Sequence, residues 1–190
     1  AASDVYKRQI KQILGNEQVT QYYVVSLIGK TLVLLIAPIN TIVISYLTKR
    51  KERLTRSQFG KAVLAGGGVS LVFFVACQIG TPLFVWLFYR NLYESVKGIV
   101  TVVNLVQILG LFSAFLFILV LTFTDERWQL WIQLAHFCIL LVSSVLAART
   151  YGMMGFAVAS LGANSLRVAA VVILGIVKAG KDKGDRNADR

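Results

Sequence analysis

The chain has 190 residues, 56% of them hydrophobic and 15% charged, with a net charge of +11 and a mean hydropathy of +0.68. A soluble domain carries about 25% charged residues and few uninterrupted apolar runs, so this composition does not fit one. The positive balance is not that of a nucleic-acid binder either, because the cations cluster outside the apolar stretches.

In chain order, residues 4–9 read DVYKRQ, a string similar to the translation of a transposon-end adapter used in preparing sequencing libraries. No Met start, signal-peptide pattern or helix signature accompanies it, so residues 1–9 are set apart from the fold. Native sequence is then expected to begin near Ile10, in mid-gene. Five apolar stretches follow at 22–47, 62–89, 99–122, 128–148 and 152–177. A helix needs about 20 mostly apolar residues to cross a bilayer, and each stretch reaches that length. The runs are continuous rather than alternating, which fits helices and not barrel strands. The expected fold is all-α: a polytopic transmembrane helical bundle of about five spans within 10–178, with a polar tail at 179–190.

Loop charge orients the spans. Lys49, Arg50, Lys51, Arg53, Arg56 and Lys61 lie between the first two stretches, and Lys178, Lys181, Lys183, Arg186 and Arg190 close the chain. The positive-inside rule places both groups in the cytoplasm, along with 125–127, while 90–97 and 149–151 face out. Trp86, Tyr89 and Tyr93 mark one interface and Trp128 and Trp131 the other, as an aromatic belt does. The first span then runs from outside to inside, so a further span is expected upstream.

Two stretches carry a cation, Lys30 and Arg167, and none carries Asp or Glu. A charge at the bilayer centre costs roughly 2.5–3.5 kcal/mol on insertion scales, so such residues usually serve function. Lys30 lies about 12 Å below the outer end of its stretch and Arg167 about 15 Å from the inner end, by helical rise. Two cations without an acidic partner point to a cavity that receives an anion. Guanidinium, a planar fork charged at any relevant pH, suits phosphate best.

Helical periodicity gathers the other polar groups on faces. Ser160, Asn164 and Arg167 share one in the fifth stretch, and Tyr23, Ser26, Lys30, Thr41 and Ser45 share one in the first. Asn104 and Gln107 neighbour each other in the third, Gln129, Gln133, His136 and Ser143 line the fourth, and Gln78 and Thr81 form a weaker patch. Such groups commonly join membrane helices, contributing about 0.6 kcal/mol each. His136 reads as a hydrogen-bonded packing residue, with a proton relay as the alternative. Pro38 near Asn40, and Gly80, Thr81 and Pro82, are expected to break or kink their helices. Cys77 and Cys138 read as small buried packing residues. One His without an intramembrane carboxylate, and no ligand cluster, argue against an enzyme, a metal or a cofactor.

From 13 to about 177 the chain resembles polysaccharide flippases (O-antigen and teichoic-acid type) of the multidrug/oligosaccharidyl-lipid/polysaccharide exporter superfamily. The segments that carry the resemblance are LGNEQVTQYYVVSLIGK, PLFVWLFYRNLYESV, WQLWIQ and YGMMGFAVASLGANSLRV, in that order. The resemblance implies two six-helix lobes around a central cavity with both termini cytoplasmic, this chain supplying the last five of twelve spans. It implies transport of polyprenyl-pyrophosphate-linked oligosaccharide across the bacterial cytoplasmic membrane by alternating access, without bond chemistry. Arg167 and Lys30, with Asn164 and Ser160, would meet the pyrophosphate. The implied partners are the lipid-linked glycan, membrane lipids and an N-terminal lobe of the same chain. Alternatives are a cation-coupled drug exporter of the same superfamily, a membrane glycan ligase or polymerase, and a structural membrane subunit. The outer loops look too short for the ligase or polymerase. Without its partner lobe the chain is expected to be unstable, because its polar faces would meet lipid.

Overall fold

The computed structural model describes residues 2–49, 55–121 and 124–188. Side chains are described from Gly15 to Ala179, except at scattered positions in 35–49 and at 126. The described residues form five helices and no strand: α1 (Ala2–Lys49), α2 (Arg56–Phe88), α3 (Arg90–Val96), α4 (Val100–Leu121) and α5 (Glu126–Ala188). The all-helical expectation holds. Three helical segments are long and apolar enough to cross a membrane: Arg56–Phe88, Val100–Leu121 and Arg127–Ala179.

Two glycines divide what looks continuous. Gly15 (φ 78°, ψ 167°) interrupts α1, and Gly152 (φ 59°, ψ −144°) interrupts α5. Glycine alone adopts such angles without steric cost. At Gly152 the chain turns back, so α5 is a hairpin of two limbs, 126–151 and 153–188. Lys178 Nζ stands 5.5 Å from the Trp128 ring at the open end, and at the turn a Cβ on Gly155 would fall 2.2 Å from the Ala147 carbonyl oxygen. The fourth and fifth predicted stretches therefore part at a single residue.

α4 is the central helix: half of its most apolar stretch is buried, against 6% of those in α2 and α5. One apolar cluster joins Val24 and Val25 of α1, Val85 of α2, Val96 of α3, Val103 of α4 and Ala157 of α5. A second, at the opposite end, joins Phe59, Leu116, Phe117, Val120 and Val171. α1, α4 and the second limb of α5 run parallel, and α2 and the first limb run against them. The exposed outer faces are apolar, with Leu64, Leu71, Val72 and Ile79 on α2 and Leu130, Leu134 and Val142 on the first limb. Lipid is the natural cover for them.

Local chemistry sets the helix limits. Thr55 caps α2: its Oγ1 accepts from Gln58 N at 3.4 Å, while Gln58 Oε1 accepts from Thr55 N at 3.1 Å. The segment read as an outer loop is largely α3, where Glu94 pairs with Lys97 and holds that ammonium above its usual range. Both groups are exposed, so the pair adds little. Residues 2–14 are helical, including most of the segment set apart from the fold. The polar tail continues as helix to Ala188. It contains no proline, and its Lys residues suit a helix C-terminus. Cys77 is buried as expected, but Cys138 is exposed on the apolar face of the first limb.

The expected breaks at Pro38 and Pro82 do not occur, since both prolines sit inside continuous helix. Membrane helices tolerate proline where neighbours satisfy the freed backbone. Asn104 of α4 holds α2 in the turn before Pro82: Nδ2 donates to Cys77 O at 3.1 Å and to Gln78 Oε1 at 2.8 Å, while Oδ1 accepts from Thr81 Oγ1 at 3.1 Å. Gln78 in turn donates to Thr101 Oγ1 at 2.9 Å. The side chains of Asn40 and Thr41 lie outside the described residues. Asn104→Leu strands three partners in a buried interface, and we expect a loss of about 2–3 kcal/mol from values for membrane hydrogen bonds and unsatisfied groups. Thermal unfolding in detergent checks this; an unchanged midpoint would show the network to be dispensable.

Candidate functional site

The polar groups concentrate between the two apolar clusters, where α4 meets both limbs of α5. Arg167, half-buried on the second limb, places its guanidinium carbon 4.8 Å from the Phe117 ring of α4. A cation over an aromatic face gains about 0.5–2 kcal/mol, which offsets part of the cost of burial. Its Nε is buried without a hydrogen-bond partner among the described residues, and no described carboxylate forms an ion pair with it.

The hairpin adds a residue from the first limb. The Lys178–Trp128 and Gly155–Ala147 contacts fix an antiparallel register that sets His136 opposite Asn164 and Arg167. The Asn164 side chain lies beside His136, and its Nδ2 donates to Val106 O of α4 at 3.4 Å. Arg167 is close enough to His136 for their charges to interact. One turn or two away along each helix stand Ser160, Ser143 and Ser113. The register sets Ser143 across from Ser160, and Ser113 shares the α4 face of Phe117 by its spacing. The hydroxyls of all three are buried without partners among the described residues, as is His136 Nε2.

Asn164 also reaches a groove of about 250 Å³ between α1, α4 and the second limb, lined by Val33, Gln107, Gly110 and Leu111 among others. Gly29 lets α1 approach here, since a Cβ on it would fall 2.6 Å from Gln107 Cγ. Asn164 is the member of the polar row that lines the groove.

Lys30 takes a different direction. Its Nζ stands 4.3 Å from the ring of Tyr23, two turns earlier on α1, and Tyr23 is itself half-exposed. Its expected depth also changes. Gln18 lies against Gly152, with Oε1 3.5 Å from where a Cβ would be, and Tyr22 meets Phe156 edge-on with ring centroids 5.0 Å apart. These contacts set residue 30 of α1 level with 164 of the parallel limb. Lys30 and Arg167 are then within roughly 5 Å in depth by helical rise. Apolar length alone misled here, because α1 extends above residue 22 to Gly15.

The sequence stripes are only partly realised. Ser160, Asn164 and Arg167 do share a face. Ser26, assigned to the Lys30 stripe, is fully buried and donates to Tyr23 O at 2.9 Å. Gln129 donates to Phe117 O at 3.4 Å, whereas Gln133 is exposed. Ser113 went unnoticed in the sequence because α4 is apolar all round. His136 was seen, but its partners depend on the hairpin register.

Every group in the row that lacks a partner offers a hydrogen or can do so: guanidinium, imidazole and hydroxyl. With no carboxylate among them, the arrangement favours a ligand rich in acceptors and negative charge. The chain matches no protein-family description, no curated protein and no solved structure.

Proposed function

We propose that this chain forms part of a flippase that moves polyprenyl-pyrophosphate-linked oligosaccharide across the bacterial cytoplasmic membrane. In this reading α1 from Gly15, α2, α4 and the two limbs of α5 make five crossings, with the C-terminus in the cytoplasm. They form the C-terminal lobe of a two-lobe transporter that works by alternating access. The observation that carries the proposal is Arg167, a cation half-buried among three helices with no described carboxylate beside it. Asn164 and Ser160 on the same face contribute further polar groups, and Lys30 supplies a second cation at similar depth.

Physically, the pyrophosphate is the costly part of the cargo to move through a low-dielectric core. A guanidinium already stationed there lowers that cost without chemistry. The apolar chain of the cargo needs no polar groups and could remain in lipid or against the apolar groove.

The test is transfer between leaflets in proteoliposomes. The full transporter containing this chain should move a fluorescent short-chain polyprenyl-pyrophosphate disaccharide to the opposite leaflet, and should not concentrate a cationic dye. Dye accumulation without glycan transfer would favour the drug-exporter alternative and reject this reading.

A further inference from the structure

We propose that His136 is a second ligand of the anion site at Arg167, binding as the imidazolium, so that each anion bound brings one proton onto the imidazole. This rests on the anion-site reading above, and adds the group that completes the site and gives it a pH dependence.

The geometry carries the proposal. His136 comes from the first limb of α5 and Arg167 from the second, and the hairpin register sets them across from each other with Asn164 alongside. A histidine that only packs helices together has its polar atoms satisfied, as nearly all buried groups do. Here Nε2 is buried without a described partner, in the same row as Arg167 Nε and the hydroxyls of Ser143 and Ser160. Guanidinium and imidazolium donate only, and a hydroxyl turns its hydrogen toward an acceptor. A phosphate or pyrophosphate ester, which presents only acceptor oxygens when ionised, answers all of them together. A neutral amide or a cation would not.

Protonation follows from the neighbours. α4 carries no ionisable side chain over its length, and the second limb presents Arg167. At comparable depth α1 has Lys30 and Tyr23, turned toward each other, and α2 has Cys77 in the Asn104 network. Cys138, on the same limb as His136, is exposed. No described carboxylate neutralises the site, so a proton on the imidazole stands beside a like charge until an anion arrives. The anion attracts both cations, and by linkage anion binding and protonation strengthen each other equally. The proton comes from water, forms one N–H bond, and returns to water when the anion leaves.

The experiment uses the full transporter containing this chain, in lipid nanodiscs, with farnesyl pyrophosphate as the probe. Calorimetry is run from pH 5.5 to 8.5 in buffers of different ionisation enthalpy, which counts protons taken up. Wild type should take up as much as one proton more per anion than His136→Gln, with affinity falling by up to roughly tenfold per pH unit across the window. His136→Gln should bind about tenfold or more weakly at pH 6, as expected for a lost charged hydrogen bond, and vary with pH only as the probe itself titrates. Sulfate has no proton to exchange in this range. Repeating the count with it on wild type makes the test independent of how the variant folds. Equal affinity and equal proton uptake in both proteins, with binding abolished by Arg167→Gln, would overturn the role of His136 and leave the anion site standing. Failure of wild type to bind the probe at any pH, or binding that survives Arg167→Gln, would overturn the anion-site reading and this proposal with it.

Discussion

Arg167→Ala is expected to abolish glycan export while leaving the amount of protein in the membrane nearly unchanged. The two effects have opposite origins. Removing a cation from mid-membrane relieves an insertion cost of roughly 2.5–3.5 kcal/mol, so loss of the Phe117 contact should not impair accumulation. The anion loses more. A guanidinium fork supplies two charge-assisted bonds of about 1.5–3 kcal/mol each, and losing both weakens binding roughly a hundredfold or more. Arg167→Lys keeps the charge but not the fork, so partial export is expected. Lys30→Ala should cost less than Arg167→Ala, because Lys30 lies over half-exposed Tyr23 rather than in the row between α4 and α5. Export in cells, normalised to membrane abundance, gives the order. Normal export from Arg167→Ala would remove this residue from the site.

The second large effect is structural. Gly155→Ala places a methyl group 2.2 Å from the Ala147 carbonyl oxygen and 2.9 Å from its carbon. Backbone cannot rotate aside as a side chain does, so the limbs of α5 must separate at the turn and disturb the packing of Phe156 on Tyr22. We expect a loss at or above the upper end of the 1–3 kcal/mol typical of overpacking. Gly29→Ala meets Gln107 Cγ at 2.6 Å and Cβ at 2.7 Å, and the α4 backbone fixes that Cβ, so α1 and α4 must part and a comparable loss is expected. Gly162→Ala has nothing within 4 Å and should be neutral or stabilising by up to about 1 kcal/mol. Unfolding midpoints in detergent, followed by tryptophan fluorescence, test the ranking. A Gly155→Ala midpoint equal to that of Gly162→Ala would mean that the limbs are not held this closely.

Hydropathy made the helices legible because membrane thickness leaves so little choice of length. The predicted stretches 62–89 and 99–122 fall close to α2 and α4, and the boundary between the last two stretches falls at Gly152. What hydropathy does not encode is rotation and register. Periodicity placed Ser160, Asn164 and Arg167 on one face, but it could not show that the face meets Phe117 and His136. That required the hairpin, whose register is written in close contacts at Gly155 and Trp128 rather than in any run of residue types.

Proline read in isolation overstates a helix break for a related reason. Pro82 signals a break only if its helix stands alone, and the Asn104 network holds α2 against α4 in the turn before it. The positive φ of Gly15 marks where the α1 crossing begins in the proposed reading. Moving that start upstream lowers Lys30 relative to the helix end and brings it level with Arg167. The two cations then form one basic layer.

The anion layer is tested most directly by mapping where the headgroup rests. A polyprenyl-pyrophosphate glycan carrying a diazirine next to the pyrophosphate is bound to the full transporter and irradiated, and the labelled residues are read by mass spectrometry. Labels concentrated at 160–167 and around His136, and lost with Arg167→Gln, are the predicted result. Labels confined to the exposed apolar face of α2, unchanged by that substitution, would contradict an anion site at Arg167.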